Sequence, residues 1–269
     1  MRNLLRVARH TRYHAMATNR SSTSQRWIQL LGGMLDAGSA YKVSPHKQVK
    51  CNLCGWTGKH FVDFHVGYDF VFKKSVCPEC YSHPRHRSYK YTLDRILSEY
   101  DQEAIRVLHF APEQIMTKLL LSNPKVEYLS VDIDHRRAMR KEDIKKLSFK
   151  DDQFDLIICI HVLEHIDNDR KAMQELFRVL KPGGKALLDV PIDINRSSTY
   201  EDWSITTPEG RTNAFWQWDH LRLYGLDFPD KLRAVGFKVI EDNNILEKGE
   251  LFIRKHGLES TTSYIGTKK

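Results

Sequence analysis

Two pairs of cysteines constrain this chain more than any other feature. Cys51-Asn-Leu-Cys54 and Cys77-Pro-Glu-Cys80 each suit a tight knuckle with both sulfurs on one side, and 22 residues separate the pairs. This is a zinc-ribbon spacing: four thiolates close one tetrahedral shell, and the Phe- and Val-rich stretch between them, with Gly55, Gly58 and Gly67, reads as short strands. Two disulfides are the competing reading, and they need an oxidising compartment. A closed four-thiolate shell has no open position, so Cys51, Cys54, Cys77 and Cys80 are expected to hold a structural Zn²⁺. The fifth, Cys159, stands in an apolar run and is expected to be a buried core thiol.

The charge is unevenly divided. The net +8 over 269 residues splits into 16 Lys/Arg against 6 Asp/Glu before residue 101, and 26 against 28 after it. A basic front therefore joins a neutral body, and such a front suits phosphates, an acidic surface or an anionic carrier, or is simply a solvated face. Residues 1–35 contain no Asp or Glu but carry Arg2, Arg6, Arg9, Arg12, Arg20 and Arg26 with a Ser/Thr cluster. That composition suits a mitochondrial targeting helix or a poorly ordered basic segment, and no apolar run follows it that would make a secretory signal. At 41% hydrophobic residues and a mean hydropathy of −0.51, no stretch approaches the roughly 20 apolar residues of a membrane span. A cytoplasmic location is expected, with mitochondrial import as the alternative.

After the second knuckle, Ser82-His83-Pro84-Arg85-His86-Arg87 leads into a helical pattern over 88–100, with Tyr89, Leu93, Ile96 and Leu97 on one face. Arg85, His86 and Arg87 are candidates for a phosphate or carboxylate, or for packing against the ribbon. From residue 105 short apolar runs alternate with amphipathic segments: strands over 105–110, 128–133, 154–160 and 185–190, and helices over 113–121 and 169–181. That is the punctuation of parallel strands with helical crossovers. A helix over 226–235 and a hairpin pairing 237–240 with 251–254 are expected to close the sheet edge. In such a sheet ligands bind beyond the carboxyl ends of the strands at the switch point. Here those ends carry Phe110-Ala111-Pro112-Glu113 and, after the second strand, Asp132, whose position suits ribose hydroxyls. The first turn lacks glycine, so a nucleoside without a pyrophosphate fits it better.

The run Phe154-Asp155-Leu156-Ile157, then His161-Val162-Leu163-Glu164-His165-Ile166, then Leu180-Lys181-Pro182-Gly183-Gly184, resembles the class I S-adenosylmethionine-dependent methyltransferases of the type 11-like branch. The likeness spans about 105–255, and the cysteine pairs with His83-Pro84-Arg85-His86-Arg87 are similar to a zinc-knuckle front found on some members. The resemblance implies an α/β fold: a Rossmann-like seven-stranded sheet with an antiparallel last strand, preceded by a four-Cys zinc ribbon. It further implies that Phe110, Ala111, Pro112 and Glu113 form the cofactor turn, that Asp132 holds the ribose, that Asp143 and Ile144 border adenine, and that Ile160 and His161 line the methionine side. This chain departs from the family in its glycine-free first turn and in the ten residues between Asp132 and Asp143, too few for a crossover helix.

His161-x-x-Glu164-His165 also matches the pattern of an inverted zinc protease, a reading set aside because the segment starts at a strand end. Methyl transfer from a sulfonium needs mainly alignment and exclusion of water, and a hydroxyl acceptor adds a general base. The insertion 195–222 holds three of the five tryptophans and reads as a lid. His220 paired with Asp219 is the candidate base, and Asp193, Trp218 and Arg222 are candidate acceptor-binding residues; alternatively His220 and Arg222 tie the insertion to the sheet. The organisation expected is a basic segment 1–47, a ribbon 48–87, a connecting helix 88–104, the methyltransferase domain 105–256 and a tail 257–269. The expected function is methylation of a small-molecule, sugar or carrier-bound acceptor. The alternatives are RNA, held by the ribbon and basic front, and a silent binding module on a relic fold.

Overall fold

The computed structural model describes residues 48–66 and 70–269. The basic segment 1–47 and Gly67 lie outside them. The described residues form two compact units: those from 48 to Ser88 together with Lys248–Ser260, and Tyr89–Glu247 together with Thr261–Lys269.

The first unit carries two small antiparallel hairpins, β1 (Val49–Lys50) with β2 (Thr57–Gly58), and β3 (Val62–Val66) with β4 (Phe70–Val76). Its core is small: Cys51, Phe61 and Cys77 are buried, with Val49, Leu53, Trp56 and Cys80 packed on them. Arg87 substitutes for missing hydrophobic bulk. Its guanidinium lies over the Phe61 ring, 4.1 Å from the centroid, and donates to the carbonyls of Ser75, Ser82 and Gly257 at 2.7, 2.5 and 2.6 Å. Arg87 is thus spent on packing within its own unit rather than on an external anion. The helix Glu250–His256 belongs here too, and His256 Nδ1 donates to the Lys50 carbonyl at 3.1 Å.

This corrects the expected hairpin, because residues 251–254 are helical rather than a strand. Gly257 at φ 55 stops the helix in the left-handed conformation that favours glycine, its N–H closing back on the helix carbonyls. The partner strand lies further on, inside the stretch read as a tail.

The second unit holds a seven-stranded sheet with Rossmann-like topology. In chain order its strands are β5 (Ile105–Phe110), β6 (Val126–Asp132), β7 (Arg140–Lys141), β8 (Phe154–Ile160), β9 (Leu180–Asp189), and then, beyond the small pair β10 (Tyr200–Glu201) and β11 (Arg222–Leu223), β12 (Lys238–Asp242) and β13 (Ser263–Thr267). Their spatial order is β12-β13-β9-β8-β5-β6-β7, and β13 runs antiparallel to both of its neighbours. The order reverses at β5, which is the switch point.

Both faces of the sheet are covered, which explains the nearly continuous apolar strands. Leu156 and Ile158 of β8 face one core with Tyr89, Leu93, Met116 and Leu120 of two helices, while Ile157 and Cys159 face the other with Ala172, Met173 and Leu176 of the helix Asp169–Val179. Each of the Leu, Ile and Met side chains contributes about 1.5–3 kcal/mol on burial. Asn168 caps that last helix by accepting the Lys171 N–H at 3.0 Å. Between β6 and β7 no helix intervenes. Asp132 Oδ1 accepts the Asp134 N–H at 2.8 Å, and Asp134 Oδ1 accepts the Arg136 N–H at 3.1 Å, so carboxylate-held turns replace a crossover.

One buried histidine gives the fold a pH signature. His109 on β5 is buried with its Nδ1 3.0 Å from the Tyr128 hydroxyl, and burial, only partly opposed by Glu113, holds its pKa down to about 4. The unfolded chain therefore binds the extra proton first, so His109 costs stability as pH falls from about 6.5 towards 4, by about 3 kcal/mol in all. Asp189, raised to about 6 by burial, acts with the opposite sign over much of the same range. His109→Gln should accordingly gain about 3 kcal/mol relative to wild type between pH 7 and pH 4 in urea melts. A pH-independent difference would refute the assignment.

Candidate functional site

The carboxyl rim of β8, β5 and β6 brings the expected cofactor residues together. Phe110 pairs with Val131 in the last rung of the β5–β6 ladder, and the Ala111 N–H donates to the Val131 carbonyl at 3.0 Å, so Ala111 and Asp132 leave adjacent strands side by side. Ala111 adopts φ 45, the left-handed conformation that costs a non-glycine residue about 1–2 kcal/mol. The glycine-free turn thus takes a glycine-like backbone. On the other flank of β5, His161 follows Ile160 at φ 54 and donates its N–H to the Asp189 carbonyl at 2.8 Å. Two strained turns therefore flank the switch point.

Around these turns the candidates divide. Pro112 and Glu113 are half-buried where the helix Gln114–Leu121 begins, whereas Phe110 and Ile144 are core residues. Asp143 is exposed, with Oδ1 accepting the Lys145 N–H at 2.9 Å. Asp132 is half-buried and uses one oxygen for the Asp134 N–H, which leaves acceptor capacity on its carboxylate for a diol.

Beyond His161 the chain makes a 3-10 turn, Leu163–His165, rather than the helix an inverted zinc protease needs. Arg222, 1% exposed, clamps this turn: it donates to the Leu163 and Asp167 carbonyls at 2.9 and 3.0 Å and to that of Ile166, while Nε donates to Glu201 at 2.5 Å. The Leu221 N–H adds a bond to the Glu164 carbonyl at 2.9 Å. Arg222 was expected to bind an acceptor, and the structure instead spends its guanidinium inside the protein, as the tying alternative requires.

The expected His220–Asp219 pair is also rearranged. Asp219 Oδ2 lies 3.4 Å from His165 Nδ1, and Gln217 Nε2 donates to its Oδ1 at 2.8 Å. Burial opposes charge on both partners, but their contact prevails, holding Asp219 down to about 2 and raising His165. His220 is 5% exposed, its Nδ1 donates to the Phe215 carbonyl at 2.8 Å, and burial lowers its pKa. An imidazole so enclosed does not stand open to an acceptor. Asp193 is turned inward as well, accepting the Asn195 N–H at 3.0 Å and lying 3.4 Å from Arg196 Nε, while Trp218 is 42% exposed.

In the cysteine unit the four sulfurs of Cys51, Cys54, Cys77 and Cys80 lie within 4.8 Å of one another. Cys51 to Cys80 and Cys54 to Cys77 are each 3.6 Å. A disulfide needs about 2.05 Å, and thiolates about 2.3 Å from one tetrahedral ion stand about 3.8 Å apart, so the cluster fits a metal and not two bridges.

Residues 98–188 match the family model described as a methyltransferase domain. This stretch is a methyltransferase domain. It runs from the end of the helix Pro84–Ser98 through β9, and so contains both strained turns, Asp132 and the 3-10 turn. Among curated proteins, the chain resembles an uncharacterized protein of Methanocaldococcus jannaschii, 43% identical over 60 residues, covering 22% of this chain and 25% of that one. It also resembles the sterol 4-C-methyltransferase strm-1 of Caenorhabditis elegans, 33% identical over 75 residues, covering 28% and 22%. The chain thus spans about a quarter of the length of each. Among solved structures, the YcgJ protein of Bacillus subtilis is similar over 69% of this chain and 99% of its own, with a TM-score of 0.47 and 18% identity.

Glu164 and the Asp219–His165 contact were not singled out by sequence reasoning. The H-x-x-E-H pattern was the available signal, and its meaning depends on where His220 comes to lie.

Proposed function

We propose that the chain is an S-adenosylmethionine-dependent methyltransferase acting on a small-molecule, sugar or carrier-bound acceptor. The observation that supports it is the side-by-side exit of Ala111 and Asp132 from β5 and β6, within a methyltransferase domain. S-adenosylmethionine supplies the activated methyl group when bound. Asp132 accepts from the ribose hydroxyls, the 110–113 turn and Ile160–His161 flank the cofactor, and Asp143 with Ile144 borders the adenine side. Alignment and exclusion of water by these residues carry the transfer. The 195–222 segment serves as the acceptor side, with Trp218 its exposed aromatic. Zinc held by the four cysteines supports the fold of their unit.

Calorimetric titration with S-adenosylmethionine and with its demethylated product tests the reading. Wild type should bind both, and Asp132→Asn, which keeps an oxygen for the Asp134 N–H, should bind about tenfold to a hundredfold more weakly with an unchanged melting temperature. Absence of binding at millimolar ligand would leave only the silent-module alternative. Salt-sensitive retention of RNA by the full chain would shift the acceptor to RNA.

A further inference from the structure

We propose that Glu164, His165 and His220 form a second metal site, one that binds a divalent cation beside the strand end at His161. One ligand atom from each residue lies within 4.8 Å of the other two. Glu164 decides the matter: its side chain is 2% exposed, yet neither carboxylate oxygen accepts a hydrogen bond, and His161 Nδ1 stands 3.5 Å from one of them. A buried carboxylate without hydrogen bonds is costly, and a bound cation removes that cost.

The two imidazoles are prepared in the way metal-binding histidines are. His220 Nδ1 faces only an acceptor, the Phe215 carbonyl at 2.8 Å, so that nitrogen carries the proton and Nε2 keeps its lone pair. His165 Nδ1 faces the Asp219 carboxylate at 3.4 Å, a carboxylate–histidine arrangement that likewise turns Nε2 towards a metal. Around one ion at about 2.0–2.2 Å, ligand atoms stand about 3–4 Å apart, so the cluster needs only a small contraction. Arg222 holds the turn carrying Glu164 and His165, and the Leu221 N–H ties the turn to the strand next to His220.

This is not the inverted-protease arrangement, in which His161 and His165 would be the paired ligands on a helix. The donor set is two nitrogens and one carboxylate, which suits Zn²⁺, Mn²⁺, Fe²⁺ or Co²⁺ and differs from the four-thiolate site. Three protein ligands leave the remaining coordination positions to water.

Mn²⁺ provides a probe that the thiolates of the first unit do not favour. Full-length protein carrying a single zinc per chain, titrated with Mn²⁺ alone and followed by electron paramagnetic resonance, should deplete one equivalent of the free six-line signal per chain. Glu164→Gln and His220→Gln should each weaken that binding at least tenfold. In chelator, Glu164→Gln should melt no lower than wild type, since it removes an unsolvated charge, while the rise in melting temperature on adding Mn²⁺ disappears. The proposal is overturned if wild type takes up no Mn²⁺ at millimolar concentration and no zinc beyond the thiolate-held ion. It is equally overturned if the folded variants bind as wild type does. Neither readout depends on methyl transfer.

Discussion

Replacing Cys77 with Ser should unfold the first unit while leaving the seven-stranded sheet folded. Among the described residues the apolar core of the unit is a small cluster of Cys51, Phe61 and Cys77, two of them metal-ligand candidates, with Val76 and Leu258 also buried, so its core cannot offset the chain entropy of ordering it. A four-thiolate Zn²⁺ contributes about 10–16 kcal/mol of apparent binding energy at neutral pH, which far exceeds what such a core supplies. Wild type should release one zinc per chain when its thiols are blocked by a mercurial, and Cys77→Ser none. In the variant, backbone amide signals of 48–88 and 248–260 should collapse to unfolded positions, because Arg87 and Gly257 are bonded into the same unit. Unchanged signals, or no thiol-released zinc, would sink the reading.

The second large effect is expected at Arg222. Arg222→Met removes a buried guanidinium and strands the Leu163, Ile166 and Asp167 carbonyls, with the Glu201 carboxylate left unpaired. Breaking a buried pair in this way costs about 3–5 kcal/mol, read as a lower urea midpoint at unchanged slope. Arg222→Lys should recover only part of it, since a point-charge ammonium cannot span three carbonyls and a carboxylate as the planar fork does. A loss below about 1 kcal/mol would show that the clamp is not what fixes the 163–167 turn. Cofactor binding should survive in the folded fraction, because Asp132 ends β6 and Ala111 lies in the turn that follows β5, both apart from the clamped turn.

Much of this architecture was readable from local pattern. Strands over 105–110 and 154–160 fall where apolar runs placed them, since a strand buried on both faces must be apolar at every position. The cysteine cluster was readable from spacing, because a knuckle is a local turn. The last strand was not. Leu251-Phe252-Ile253 offers an apolar run as strand-like as Tyr264-Ile265, and the deciding facts are the left-handed Gly257 and the gap between β9 and β12 that only Ser263–Thr267 reaches. The glycine-free turn misled for a related reason: composition forecasts the conformation a residue prefers, whereas the β5–β6 ladder imposes on Ala111 the one it adopts.

The amino-acid sequence alone determined the fold class, the four sulfurs and the strand ends at which a cofactor would bind, because each depends on residues close together in the chain. Tertiary structure alone decided the partners of His165, Asp219, His220 and Arg222. His220 follows Asp219 in the chain, yet Asp219 faces His165 across 54 positions, and the Glu164 carboxylate becomes meaningful only where two imidazoles are folded against it. Burial turns such juxtapositions into chemistry, since it is the loss of water that makes a partner, or its absence, matter.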